Sequence, residues 1–352
     1  MAVYLIGLGL GTRKQVTIDA LETASKLDKL YLDTYTGFIE DSLIAELSTR
    51  FGEKLVRADR KMLEDKISDI LQEAERNDVG ILVPGDPLIA TTHSSIIVEA
   101  INRGVEFKVI HGVSIYCAAI SSSCLHSYKF GRATTIPKSG LGIETCYRVI
   151  SENMERGLHT LVLLDTAAGG VTIPDAIELL LKAEEKMGLG LIQDDRLIVC
   201  LARIGFEDEF KWAGRIRDAV RKKYPPPPHT MIFPGELHFS EMEALRNILG
   251  VDATTLNNHN IPRSWRSRTK RYIENVGRVL DEIGYLSDDA VVKDLIEMAK
   301  SYLEDAEKFW EAGDLFNSST AISYAEGILD ALRLMGKVEF TWRPSEGIVN
   351  KG

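Results

Sequence analysis

In the first 112 residues short apolar runs recur, each followed by a stretch with the periodicity of an amphipathic helix. Val3 to Leu8 is followed by a helical pattern over Val16 to Ser25. Leu30 to Leu32 is followed by helical patterns over Ile39 to Arg50 and Met62 to Arg76. Val79 to Val83 ends in the turn cluster Pro84-Gly-Asp-Pro87. Thr91 or Thr92 is placed to cap a helix running through Arg103, ahead of a strand at Phe107 to Ile110. Strands that alternate with helices must lie parallel and be covered on both faces, so the fold class is α/β. Such sheets place a ligand crevice outside the carboxyl ends of their strands.

A second α/β run starts near Ser114, with strands expected at Leu161 to Leu164, Leu197 to Leu201 and Met231 to Phe233 and helices at Glu144 to Arg156, Pro174 to Met187 and Phe239 to Leu249. The tetraproline Pro225 to Pro228 reads as a stiff surface connector. After Val251 the strand signals stop. Three helical patterns follow over Pro262 to Ile283, Asp288 to Ala312 and Leu315 to Leu334, with Gly284, Gly313 and Gly336 at their ends and Asp288 or Asp314 as caps. The expected organisation is therefore an α/β domain over 1–112, a second over 113–250 and an all-α helical bundle over 251–352.

Composition narrows the functions. With 42 Lys+Arg against 52 Asp+Glu the formal charge is −10, a field that repels polyanions, so nucleic acid is not the expected partner. Beside Trp265, the bases Arg263, Arg266, Arg268, Lys270 and Arg271 make one local basic cluster, read first as a solvated helix face and second as an RNA contact. Four cysteines without metal-ligand spacing suit a reducing cytoplasm and predict no metal site. No apolar stretch is long enough to span a bilayer, and no membrane association is expected.

Three strand-end loops hold the candidate chemistry. Gly7-Leu-Gly-Leu-Gly11 lets backbone approach a ligand; with Asp33 it also imitates part of a dinucleotide fingerprint, so a nicotinamide-dependent oxidoreductase is one rival reading. Pro84-Gly-Asp-Pro-Leu-Ile-Ala-Thr-Thr-His93 is a rigid loop with one carboxylate at its tip. Asp86 there reads either as a ligand contact or as a turn cap, and His93 as a buried helix residue. His111-Gly-Val-Ser-Ile-Tyr116 has the same placement, with Ser114 a contact or a helix cap.

Taken in order with Tyr35-Thr36, His126-x-Tyr-Lys-Phe-Gly131, Arg156-Gly-Leu-His-Thr160, Pro227-Pro-His229 and Pro234-Gly235, these blocks resemble the diphthine synthase family over residues 1 to 250. The resemblance implies two α/β domains of the tetrapyrrole-methylase type binding S-adenosylmethionine in the cleft between them. It also implies a homodimer, and methylation of a 3-amino-3-carboxypropyl histidine in elongation factor 2. The family's ligand positions fall on Leu10, Asp86, Ile89, Ser114, Ile115, Leu164, Ile204 and His229. Aliphatic walls would face the adenosine, and Asp86, Ser114 and His229 would meet its polar groups. No catalytic residue is singled out: Tyr35, His159, His229 and solvent all stand open as proton acceptors. The last hundred residues resemble an archaeal helical domain of unknown function. Two further rivals are a related tetrapyrrole or ribosomal RNA methyltransferase and an inactive scaffold.

Overall fold

The computed structural model describes residues 1–259, 261 and 265–342. Five strands, β1 (Ala2–Gly7), β2 (Lys29–Asp33), β3 (Leu55–Ala58), β4 (Val79–Val83) and β5 (Glu106–Ile110), form one sheet in the order β3-β2-β4-β1-β5. Every pairing in it is parallel. The crossovers carry helices α1 (Ile18–Lys26), α2 (Asp41–Phe51), α3 (Ile67–Ala74) and α4 (Ser94–Asn102). Alternate residues of the central strands bury into two separate cores, one around Leu5, Ile81 and Leu71 and the other around Ile6, Leu82 and Leu43. Each of these side chains contributes about 1.5–3 kcal/mol by leaving water, which fixes the register.

The expected Met62–Arg76 helix is divided. A single π-helical turn over Lys61–Asp65, closed by Lys66 N–H to the Lys61 carbonyl at 3.0 Å, precedes α3. The helix after β4 is not capped by a threonine: His93 occupies the cap position without a side-chain hydrogen bond, while the Thr91 hydroxyl donates to the Pro87 carbonyl at 2.6 Å.

The second sheet is mixed. Its strands are β6 (Thr134–Ile136), β7 (Thr160–Leu164), β8 (Leu197–Ala202), β9 (Phe210–Arg215) and β10 (His229–Phe233), in the order β6-β7-β10-β8-β9. Only β6 and β7 run parallel. Helices α5 (Ile115–Ser122), α6 (Ile143–Glu155), α7 (Ile173–Met187), α8 (Ile216–Arg221) and α9 (Phe239–Leu249) accompany it. At the start of α7, Thr172 and Asp175 satisfy each other's backbone N–H groups. The tetraproline is more than a surface connector. Its Pro228 carbonyl accepts from Arg203 N–H at 2.9 Å, and its Pro225 carbonyl accepts from His229 at 2.7 Å.

The compact unit that holds both sheets runs past the residue-250 boundary, to His259. Helix α10 (Ala253–Asn257) belongs to it, because Val251 and Leu256 are buried in the same core as Leu245 and Ile232. The other unit is helical. Its helices α11 (Trp265–Glu282), α12 (Ala290–Glu311) and α13 (Leu315–Leu334) bury Val276, Ala299, Ile322 and Leu329, with a two-residue ribbon of β11 (Gly284–Tyr285) and β12 (Val338–Glu339). Asp289, the neighbour of the expected Asp288, caps α12, and Asp314 caps α13. Pro262 and Arg263 lie outside the described residues.

Candidate active site

The carboxyl ends of β1, β4 and β5 meet backbone on backbone. Gly9 and Gly85 exchange N–H to carbonyl bonds of 3.2 and 2.6 Å. Beneath them, a β-carbon on Gly7 would lie 2.5 Å from Gly112 N, and one on Gly112 would lie 2.4 Å from the Gly85 carbonyl oxygen. No side chain fits there, so the glycine-rich opening is used for strand-end packing and gives the base of a cavity an exposed main chain.

That cavity has a volume of about 710 Å³, within the range of sites that enclose a molecule of cofactor size. Leu10 and Ile89 line it from the first domain, and Ser114, Ile115, Leu164, Ile204 and His229 from the second. Seven of the eight residues expected from the sequence thus share one wall system. The eighth, Asp86, is not in the lining. It is 6% exposed, accepts from Leu88 N–H at 3.0 Å and from Gly112 N–H at 3.4 Å, and holds His111 Nδ1 at 2.8 Å. Its carboxylate therefore ties the β4 loop to the β5 loop. Ser114 lines the cavity but uses its hydroxyl as the N-cap of α5, accepting from Tyr116 N–H at 3.2 Å.

His229 and His159 are committed. His229 Nδ1 accepts from Ile173 N–H at 3.2 Å and its Nε2–H donates to the Pro225 carbonyl, so both nitrogens are used and the ring offers the cavity its carbon edge. Burial pushes its pKa down, which keeps it neutral. His159 is fully buried and lies outside the lining; its Nδ1 accepts from Gly235 N–H at 2.8 Å and its Nε2–H donates to Glu241 at 2.9 Å. His93 is 1% exposed and faces Asp33 at 3.5 Å. Asp33 itself accepts from Tyr35 N–H, Thr36 N–H and the Thr36 hydroxyl. That carboxylate is spent on a turn and absent from the lining, which removes the basis of the nicotinamide reading.

Sequence reasoning missed part of the lining. Arg203 sits at the rim with its guanidinium 4.4 Å from the Phe206 ring and 5.3 Å from the Phe38 ring, bringing the two domains together over one end of the cavity. Arg203 and Ala90 both have left-handed backbone, with φ of 52° and 58°, a strain of about 1–3 kcal/mol each. Neither position carries a sequence signal, since nothing marks a non-glycine residue for that conformation.

Residues 2–220 match the family model of the tetrapyrrole (corrin/porphyrin) methylases. Over 254 residues the chain is 40% identical to the diphthine synthase of Sulfurisphaera tokodaii, an alignment that covers 70% of this chain and 98% of that protein. The chain belongs to the diphthine synthase family. A second family member, from Staphylothermus marinus, is 37% identical over 274 residues, covering 75% of this chain and 99% of its own. A crystal structure of diphthine synthase superposes with a TM-score of 0.67 at 32% identity, over 73% of this chain and 99% of that one. Residues 271–338 match a separate family described only as a protein of unknown function (DUF357).

Membership of the diphthine synthase family makes the chain an S-adenosylmethionine-dependent methyltransferase. Its cavity fits that cofactor on its own chemistry. Leu10, Ile115, Leu164 and Ile204 present aliphatic surface for a nucleoside, and the Gly9–Gly85 bridge leaves room for close approach to main chain. Among the described residues no helix is long and apolar enough to cross a membrane.

Proposed function

We propose that this chain is a diphthine synthase that methylates the amine of a 3-amino-3-carboxypropyl histidine in elongation factor 2, with S-adenosylmethionine held by Leu10, Ile89, Ser114, Ile115, Leu164, Ile204 and His229. The observation that carries the reading is the single cavity formed by the carboxyl ends of the first sheet and the walls of the second domain. When bound, the cofactor supplies an electrophilic methyl group on a sulfonium. The residues of the chain position and desolvate. Aliphatic walls reduce the water around the reactants, and fixed placement of two reactants can contribute about 7–11 kcal/mol in well-oriented systems.

None of the three side chains considered as proton acceptors suits that role. His229 has both nitrogens engaged, His159 is buried away from the cavity, and burial with nearby carboxylates pushes the Tyr35 hydroxyl up to about 12. The amine therefore enters as the free base, its proton given up to solvent. Incubating the protein with S-adenosylmethionine and purified factor carrying the modified histidine, followed by mass spectrometry of the factor, tests the reading. Mass increments of whole methyl groups are expected, and an unchanged factor refutes it.

The same reading includes a cytoplasmic homodimer. Four cysteines, all free thiols, suit a reducing compartment. For the dimer, the support is an apolar surface: Val98 and Ile101 on α4 are 58% exposed, beside the outer edge strand β5 with Phe107 at 40%. Ile101→Glu is expected to convert a dimer into a monomer by light scattering, and a wild-type monomer at micromolar concentration contradicts the assembly.

A further inference from the structure

The cavity has an arm that the cofactor positions leave over. Leu10, Ile89, Ser114 and Ile115 follow β1, β4 and β5, neighbours on one side of the first sheet. Tyr35, Arg60 and Glu64 follow β2 and β3 on its other side and line the same cavity. Three features build this arm. The π turn over Lys61–Asp65, anchored by buried Leu63, sets Glu64. Asp33 grips the backbone of Tyr35 and Thr36 at 2.9 and 3.1 Å, and the Tyr35 hydroxyl donates to Glu64 Oε1 at 3.3 Å. Arg60 Nε lies 2.8 Å from Glu64 Oε2 with its side chain 75% exposed, so this ion pair adds little to folding stability.

A guanidinium beside a carboxylate, with a neutral phenol donor behind it, complements a group that carries both a carboxylate and an amine on one carbon. The geometry points to a clamp for the head of an α-amino acid, Arg60 taking its carboxylate and Glu64 its amine. This rests on the proposed function, whose reaction brings two such heads: the aminocarboxypropyl group of the substrate and the methionine end of the cofactor. Tyr35, Arg60 and Glu64 follow strands other than those that carry the cofactor positions of the first sheet, so the clamp is assigned to the aminocarboxypropyl group. The clamp also explains how a modified histidine is told from a plain one, since the plain ring carries neither the carboxylate nor the amine.

Full-length Arg60→Met, Arg60→Lys and Glu64→Gln, each checked for a wild-type melting temperature, are titrated with S-adenosylmethionine and with methylthioadenosine, which lacks the amino-acid end. Their KM for elongation factor 2 carrying the aminocarboxypropyl histidine is measured in parallel. Both affinities are expected to match wild type while KM rises about tenfold or more in Arg60→Met and Glu64→Gln, with partial recovery in Arg60→Lys. A loss of S-adenosylmethionine affinity alone, with methylthioadenosine binding unchanged, keeps the clamp but overturns its assignment to the substrate. Wild-type values in every arm overturn the clamp itself. A wild-type protein that neither binds the cofactor nor transfers a methyl overturns the proposed function, and the clamp with it, and differs from the preceding result because the wild-type control fails.

Discussion

Glu241 is fully buried and is held by four donors: the N–H groups of His126 and His238, each at 2.8 Å, His159 Nε2 at 2.9 Å and Lys129 Nζ at 2.5 Å. Burial pushes its pKa up, but the hydrogen bonds from His159, Lys129 and the two amides outweigh it and hold the carboxyl well below the usual range. A carboxylate depressed in the folded state stabilises fully above its unfolded pKa, and that contribution is lost as pH falls through the folded value. Glu241→Gln is therefore expected to lose about 3 kcal/mol at pH 7, because it strands a partly buried lysine. The gap from wild type should narrow steadily below the ordinary value of 4.5. Urea unfolding of both proteins at several pH values checks this, and a gap independent of pH contradicts the ion pair.

The loops after β4 and β5 act as one piece, since Asp86 bonds across to His111 and Gly112 while Gly7, Gly85 and Gly112 interlock below. Asp86→Ala should lower S-adenosylmethionine affinity about tenfold through loosened loops, with a wild-type calorimetric affinity as the contrary result. Gly112→Ala forces a β-carbon into the Gly85 carbonyl and should cost about 1–3 kcal/mol in a thermal melt. The elements themselves were unevenly legible from the sequence. Helix α9 matches its expected span of Phe239 to Leu249, closed by Gly250 in left-handed backbone, although its cap is His238, a residue type that gives no helix-start signal. Strand β9, with Lys211 and Arg215 among its six residues, lacks apolar alternation and forms by pairing with buried β8, which periodicity cannot report. The π turn at Lys61–Asp65 adds one residue to a helical repeat and leaves the apolar pattern nearly intact, so it reads as continuous helix. The aliphatic cavity residues were reachable through ordered motifs. Tyr35, Arg60 and Glu64 were not joined, because two separate strand ends bring them together only in the folded chain.

One compact unit comprises Met1–Asn153 and Leu158–His259, and the other takes Met154–Gly157 together with the chain after His259. His259 Nε2–H donates to the Gly235 carbonyl at 2.9 Å, and Leu256 is buried with Leu245, so a cut at residue 252 would remove part of the methyltransferase core. A chain ending at His259 should fold and methylate a free factor at a rate within about twofold of full length. The chain ending at Val251 should be less stable by about 2–5 kcal/mol, the usual cost of deleting a buried leucine. Circular-dichroism melts and single-turnover transfer compare the two, and collapse of turnover in a folded His259 truncation would assign catalysis to the helical unit.

The interlocked glycines have an evolutionary consequence. Where Gly9 and Gly85 pair, the pocket is lined by peptide bond alone, and peptide bonds are the same in every sequence. Point mutation has no side chain there to enlarge, shrink or recharge. Divergence toward a different coenzyme or methyl acceptor must therefore be written into Leu164, Ile204 and their neighbours overhead, leaving the foundation unchanged.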